Sequence, residues 1–183
     1  MRWDQLFRDL EAQLEAAEAA ELDAEVADRT RREGGLVALV DRARGATGSR
    51  VSVRVLGTGT VEGVLVEAGS QWLLLTEDGG REALLPLTAV LSLSGLGART
   101  AVPGGQVFAR LGLAAALRAI ARDRAGVSVG LVDGSVLTGT VDRVGADFVE
   151  LSVHGAGEPR RRDGVTGVRT VPFAALASVR SGP

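Results

Sequence analysis

The sequence predicts a mainly β protein with helices: two tandem five-stranded barrels, each preceded by a helix, behind an N-terminal amphipathic helical arm. Three observations lead there. Apolar residues alternate with small or polar ones in short runs separated by Gly-containing turns. The order helix-then-strands occurs twice. Finally, sliding the chain by 76 residues superimposes the first set of strands on the second. The expected division is an acidic arm over 1–35, a first barrel over 36–96, a linker over 97–105 and a second barrel over 106–183.

The arm reads as helix because Arg2 to Arg32 contains neither Pro nor Gly and is dominated by Ala, Glu and Leu. Trp3, Phe7, Leu10, Leu14 and Ala17 follow alternating spacings of four and three, and the stripe drifts on to Ala19, Leu22 and Val26. Gly34-Gly35 supplies a stop, giving one helix of roughly eight turns. Its apolar face needs a cover, either its own barrel or a second copy of the chain. Leu36, Leu39, Val40 and Ala43 then share one face of a short helix ending near Gly45.

Strand signals follow. Val51, Val53 and Val55 alternate with polar or small residues, and Val61 to Val66, Trp72 to Leu75, Ala83 to Leu87 and Val90 to Leu93 complete five short strands. Ser94 to Gly105 carries Gly and Pro without periodicity, and Leu113 to Arg122 is an Ala/Leu helix. Strand patterning resumes at Val127 and runs to Val179. At the 76-residue offset Val51-Ser52-Val53 falls on Val127-Ser128-Val129, Gly63 on Gly139, Gly69 on Gly145, Trp72 on Phe148 and Leu75 on Leu151. Pro86, Ala89 and Ser92 meet Pro172, Ala175 and Ser178 once ten extra residues, around His154 to Arg169, are allowed in the second copy.

Val129-Gly130-Leu131-Val132-Asp133-Gly134, the strand Ser135 to Val141 with Gly139 inside it, and Asp142 to Leu151 together resemble the first motif of the Sm-like family. The likeness is greatest to its bacterial host-factor RNA-chaperone branch. Thr170 to Val179 is similar to the last two strands of that fold. The resemblance implies a small bent barrel of the Sm-like or SH3-like kind. Asp133-Gly134 suits a tight hairpin needing positive φ, and Gly139 a sharp bend in mid-strand. The family's uridine-reading residues are not carried over. Gly145, Ala146 and Asp147 stand where the loop acid and its neighbours belong, and Phe173-Ala174 where a basic pair belongs.

Composition bounds the chemistry. The chain is 45% hydrophobic but only 3% aromatic, so its cores are built from Val, Leu and Ala, and without cysteine it has neither disulfides nor thiol chemistry. All 21 basic residues are arginine, which fits either phosphate recognition or the coding bias of a GC-rich bacterial source. Residues 1–40 carry five Arg against ten acids and the remainder sixteen Arg against thirteen, an acidic arm before a mildly basic body. The lone His154 has no ligand set around it, and neither a nucleophile elbow nor a phosphate-binding glycine motif is present. The expectation is a non-enzyme without cofactor, metal or small-molecule substrate, cytoplasmic rather than membrane-bound. It would bind RNA through phosphate contacts at Arg160, Arg161, Arg162 and Arg169, with Arg118, Arg122 and Arg124 extending the patch. Trp72 and Phe148 are read as core residues before base-stacking ones. The alternative function is a protein-interaction or scaffolding module that forms homo-oligomers through its arm and barrel edges without nucleic acid.

Overall fold

A computed structural model describes residues 21–26, 28, 29, 32, 34–100, 111–153 and 167–182. The chain divides into two units, 1–38 and 39–183. In the first, residues 21–26 and 34–35 are helical, and Leu22 and Val26 are exposed. The stripe from Trp3 to Ala17 lies outside the described residues.

The second unit runs α1 (Leu39–Gly45), β1 (Arg50–Val55), β2 (Gly59–Ala68), β3 (Trp72–Glu77), β4 (Glu82–Pro86), a 3-10 turn (Leu87–Ala89) and β5 (Val90–Ser94). It continues through α2 (Leu113–Asp123), β6 (Gly126–Leu131), β7 (Val136–Val144), β8 (Phe148–Val153), β9 (Gly167–Pro172), a second 3-10 turn (Phe173–Ala175) and β10 (Leu176–Ser181). No helix among the described residues is long and apolar enough to cross a membrane.

The expectation of two five-stranded barrels, each with its helix, is overturned. All ten strands form one open antiparallel sheet in the order β5-β1-β2-β3-β4-β10-β6-β7-β8-β9. The join is between β4 and β10, where Leu84 lies opposite Val179 and Ala83 opposite Arg180. The physical reason is that strands ending a five-strand run carry unpaired N–H and C=O groups, and pairing two such ends within one chain satisfies them. Local alternation reveals strands but not which distant edge they meet.

Within this sheet the pairing repeats at the 76-residue offset. Val51 opposes Gly63 as Val127 opposes Gly139. The β2–β3 register slips between Leu65 and Glu67, and the β7–β8 register slips between Val141 and Arg143. Trp72 opposes Pro86 as Phe148 opposes Pro172. Glycine is needed at positions 63 and 139, because a Cβ there would run into the carbonyls of Thr76 and Ser152. At the β6–β7 turn Gly134 takes φ +91°, and Asp133 Oδ1 accepts from the Ser135 amide (2.9 Å) and hydroxyl (2.6 Å). These contacts, first the Ser135 hydroxyl and then its amide, hold the Asp133 carboxyl below the usual carboxylate range.

Two cores result. Val51, Val53, Val61, Leu65, Leu73, Leu75 and Leu85 anchor the first, with Ala43 of α1 beneath them. Leu113 and Leu117 of α2 join Val127, Val129, Val141, Val149, Leu151 and Leu176 in the second. The cores interlock: Trp72 and Leu84 from the first half belong to the second core, and Ala177 from β10 belongs to the first. Strands β3 and β4 are therefore buried on both faces, which is why Trp72-Leu73-Leu74-Leu75 and Ala83-Leu84-Leu85 read as continuous apolar runs.

Candidate functional site

The join between the halves is a worked example of the contact that the rest of the sheet leaves open. It uses the fourth strand of the first half, β4, and the fifth strand of the second, β10. The two strands left at the outer ends of the sheet are their counterparts: β9, the fourth of the second half, and β5, the fifth of the first. The sheet of one chain thus has two different outer edges, β9 and β5, the counterparts of the two strands that meet at the inner join.

Side chains reinforce the inner join. The Arg180 guanidinium donates to Glu77 Oε2 at 3.0 Å across the seam, each side chain being about one-fifth exposed (21%). The Glu82 amide donates to Ser181 Oγ at 3.1 Å. Helix α2 is fastened to the first half at its start: Gln71 Oε1 accepts from the Leu113 amide (3.1 Å), and Trp72 Nε1 donates to the Leu111 carbonyl (3.0 Å). Gln71 does what an N-cap side chain would, because Gly112 at the cap has none to offer. Trp72, only 4% exposed, is thus a core residue with its one polar atom satisfied.

The outer edges carry exposed apolar residues, Leu91 on β5 and Val168 on β9. Arg169 also lies on β9, exposed and opposite Leu151 of β8. Arg160, Arg161 and Arg162 lie outside the described residues, as does His154. The structure therefore places one of the four expected phosphate-binding arginines, on a sheet edge. A second basic feature sits at the β7–β8 turn. Arg118 of α2 donates to the Gly145 carbonyl at 3.2 Å, and the Arg143 guanidinium lies 5.9 Å from the centre of the half-buried Phe148 ring while facing Glu150 at 3.9 Å.

Elsewhere polar groups are engaged structurally. Arg50 grips Asp78 with two hydrogen bonds of 2.8 and 2.6 Å, and those bonds, more than the bare charge, hold the Asp78 carboxyl below its ordinary range. The buried Ser152 hydroxyl donates to the Asp142 carboxylate. Among the described residues no buried side-chain polar atom lacks a partner, and no three His, Cys, Asp or Glu residues are grouped to hold a metal. The residues that sequence reasoning missed are those of the seam: Glu77, Arg180, Gln71, and Trp72 in its role as helix anchor. The available signal was the unbroken apolar character of β3 and β4.

No family model matches the chain, and no curated protein is detectably similar to it in sequence.

Proposed function

We propose that this chain is a non-enzymatic assembly module that joins copies of itself head to tail, the β9 edge of one copy pairing with the β5 edge of the next. The observation that carries the reading is the β4–β10 join, which is the same kind of contact made inside one chain. Ser92 and Ser178 correspond in the repeat, as do Pro86 and Pro172, so the inner register translates directly. Leu84 opposite Val179 becomes Thr170 opposite Leu93 of the next copy, and Ala83 opposite Arg180 becomes Arg169 opposite Ser94. In that register Arg169 stands in one row with Ser94, Ser52 and Glu62 of the next copy, since Ser52 already opposes both Ser94 and Glu62. Each joint would remove two exposed strand edges. Light scattering across a concentration series tests the reading: a mass above that of one 18.9 kDa chain is expected. Its reduction by Thr170→Pro, which removes an edge donor, is expected as well. A single-chain mass at all concentrations contradicts it.

A second reading, an Sm-like RNA-associated protein, is favoured by the basic corner of Arg118, Arg143 and Phe148 and by exposed Arg169. In this reading Arg160, Arg161 and Arg162 join Arg169 in sequence-tolerant phosphate contacts, opposed by the acidic arm. Fluorescence anisotropy with short RNAs separates the two. Binding that falls steeply with salt, strengthens on removal of residues 1–33 and is lost when the three consecutive arginines become Ala supports RNA. No binding at about 50 mM salt, a condition where phosphate contacts are strong, rejects it.

A further inference from the structure

Beside the inner join lies a cavity of about 300 Å³ between α2 and strands β3, β4, β6 and β10. Its walls are apolar, with Leu74, Leu84, Ile120, Val127 and Val179 foremost, and two carboxylates, Glu82 and Asp123, line it as well. Both acids are exposed, and among the described residues neither has an ion-pair partner. Arg122 and Arg124 flank Asp123 in sequence but do not line the cavity. Ser181 also lines it, and its Oγ already accepts the Glu82 amide, which leaves its hydroxyl proton to donate. The volume is at the lower end of small-molecule sites, roughly 300–1,000 Å³.

We propose that this cavity binds a small cationic amphiphile, a protonated amine on a short apolar chain or ring, its body against Leu74, Leu84 and Ile120 and its ammonium between Glu82 and Asp123. The apolar walls select a body that water solvates poorly. The two carboxylates on the cavity wall favour a cationic head group, because an anion there would face like charges and a neutral head would leave them unused. The site is distinct from the outer edges and independent of the assembly reading.

The test uses three probes of equal chain length: octylamine, octanol and octanoate. Binding is read from Trp72 fluorescence in a Trp3→Phe background, since the chain has two tryptophans and Trp72 belongs to the core that borders the cavity. The expected order is octylamine first, octanol next and octanoate last. Glu82→Gln and Asp123→Asn should each weaken octylamine by about two- to fivefold, the scale of one exposed charge contact, and leave octanol unchanged. Ile120→Phe should remove binding of both, and Ala116→Leu is the alternative filling variant should the first not fold. Octanoate binding as tightly as octylamine, acid variants without effect on the amine, or no binding of any probe would each overturn the proposal. So would a rise in mass on concentration that blocks amine uptake, since it would mean that a second copy occupies the cavity.

Discussion

The two halves of the sheet share strand order and register yet differ at their fourth strands. In the first half β3 and β4 present Trp72, Leu74 and Leu84 on the face away from their own core, and these residues belong to or pack against the second core with α2. At the corresponding places β8 and β9 present Phe148, Glu150 and Thr170. One strand pair is interior and the other forms an edge. The lesson is that strand order alone does not decide whether a five-strand run stands alone. The outer face of its third and fourth strands does, by being apolar enough to fuse with the next half inside one chain or polar enough to remain an edge of that chain.

Substitutions at matched positions should separate the two halves most sharply. Leu84→Ala, at a site 3% exposed between two cores, should cost about 2–5 kcal/mol. Thr170→Ala, its exposed counterpart, should stay within about 0.5 kcal/mol. Chemical denaturation measures both, and equal losses would mean that the halves do not differ as described. Next in size, Gly139→Val and Gly63→Val should each destabilise by about 1–3 kcal/mol through overpacking against the neighbouring carbonyl. An unchanged melting temperature in either would show that the facing carbonyl does not crowd that position.

The seam's ion pair should matter less. Glu77→Gln should cost about 1 kcal/mol, since the pair is partly screened by solvent. Its counterpart in the second half is Val153, so no matching loss is expected there. The smallest effect concerns pH. The folded-state carboxyl of Asp133 titrates below its unfolded value, so its contribution is present above the unfolded value and disappears as pH falls through the folded one. A melting-temperature gap between the native chain and Asp133→Ala should therefore be open at neutral pH and close in strong acid. A gap that widens on acidification would reverse the sign argued here.

Much of the local structure was legible. The alternation of Val51, Val53 and Val55 marks β1, and the Ala/Leu face of α2 marks a helix within one residue of its end at Asp123. Gly63 and Gly139 stand out in the repeat at places where no side chain fits beside the facing carbonyls. The closure was not legible. Whether β4 ends a barrel or meets β10 depends on backbone groups that every strand carries, and residues 84 and 179 are far apart in the chain. The interior position of β4 was nonetheless visible in Ala83-Leu84-Leu85, which does not alternate as a strand with one wet face should. Of the candidate phosphate site Arg169 lies among the described residues; Arg160 to Arg162 fall in the ten-residue excess that the first half lacks, so the repeat offers them no counterpart.

The central claim is that the outer edges repeat the inner join, and the absence of native cysteine allows a direct measurement. A Thr170→Cys chain and a Leu93→Cys chain are mixed and oxidised, each alone serving as a control. Directly opposed strand residues have Cα atoms about 4.5–5.5 Å apart, within reach of a disulfide. The account predicts a crosslinked heterodimer that forms faster from this pair than from Thr170→Cys with Leu91→Cys, which is out of register. Equal rates for the two pairs, or no crosslink beyond that of the single chains, would contradict it.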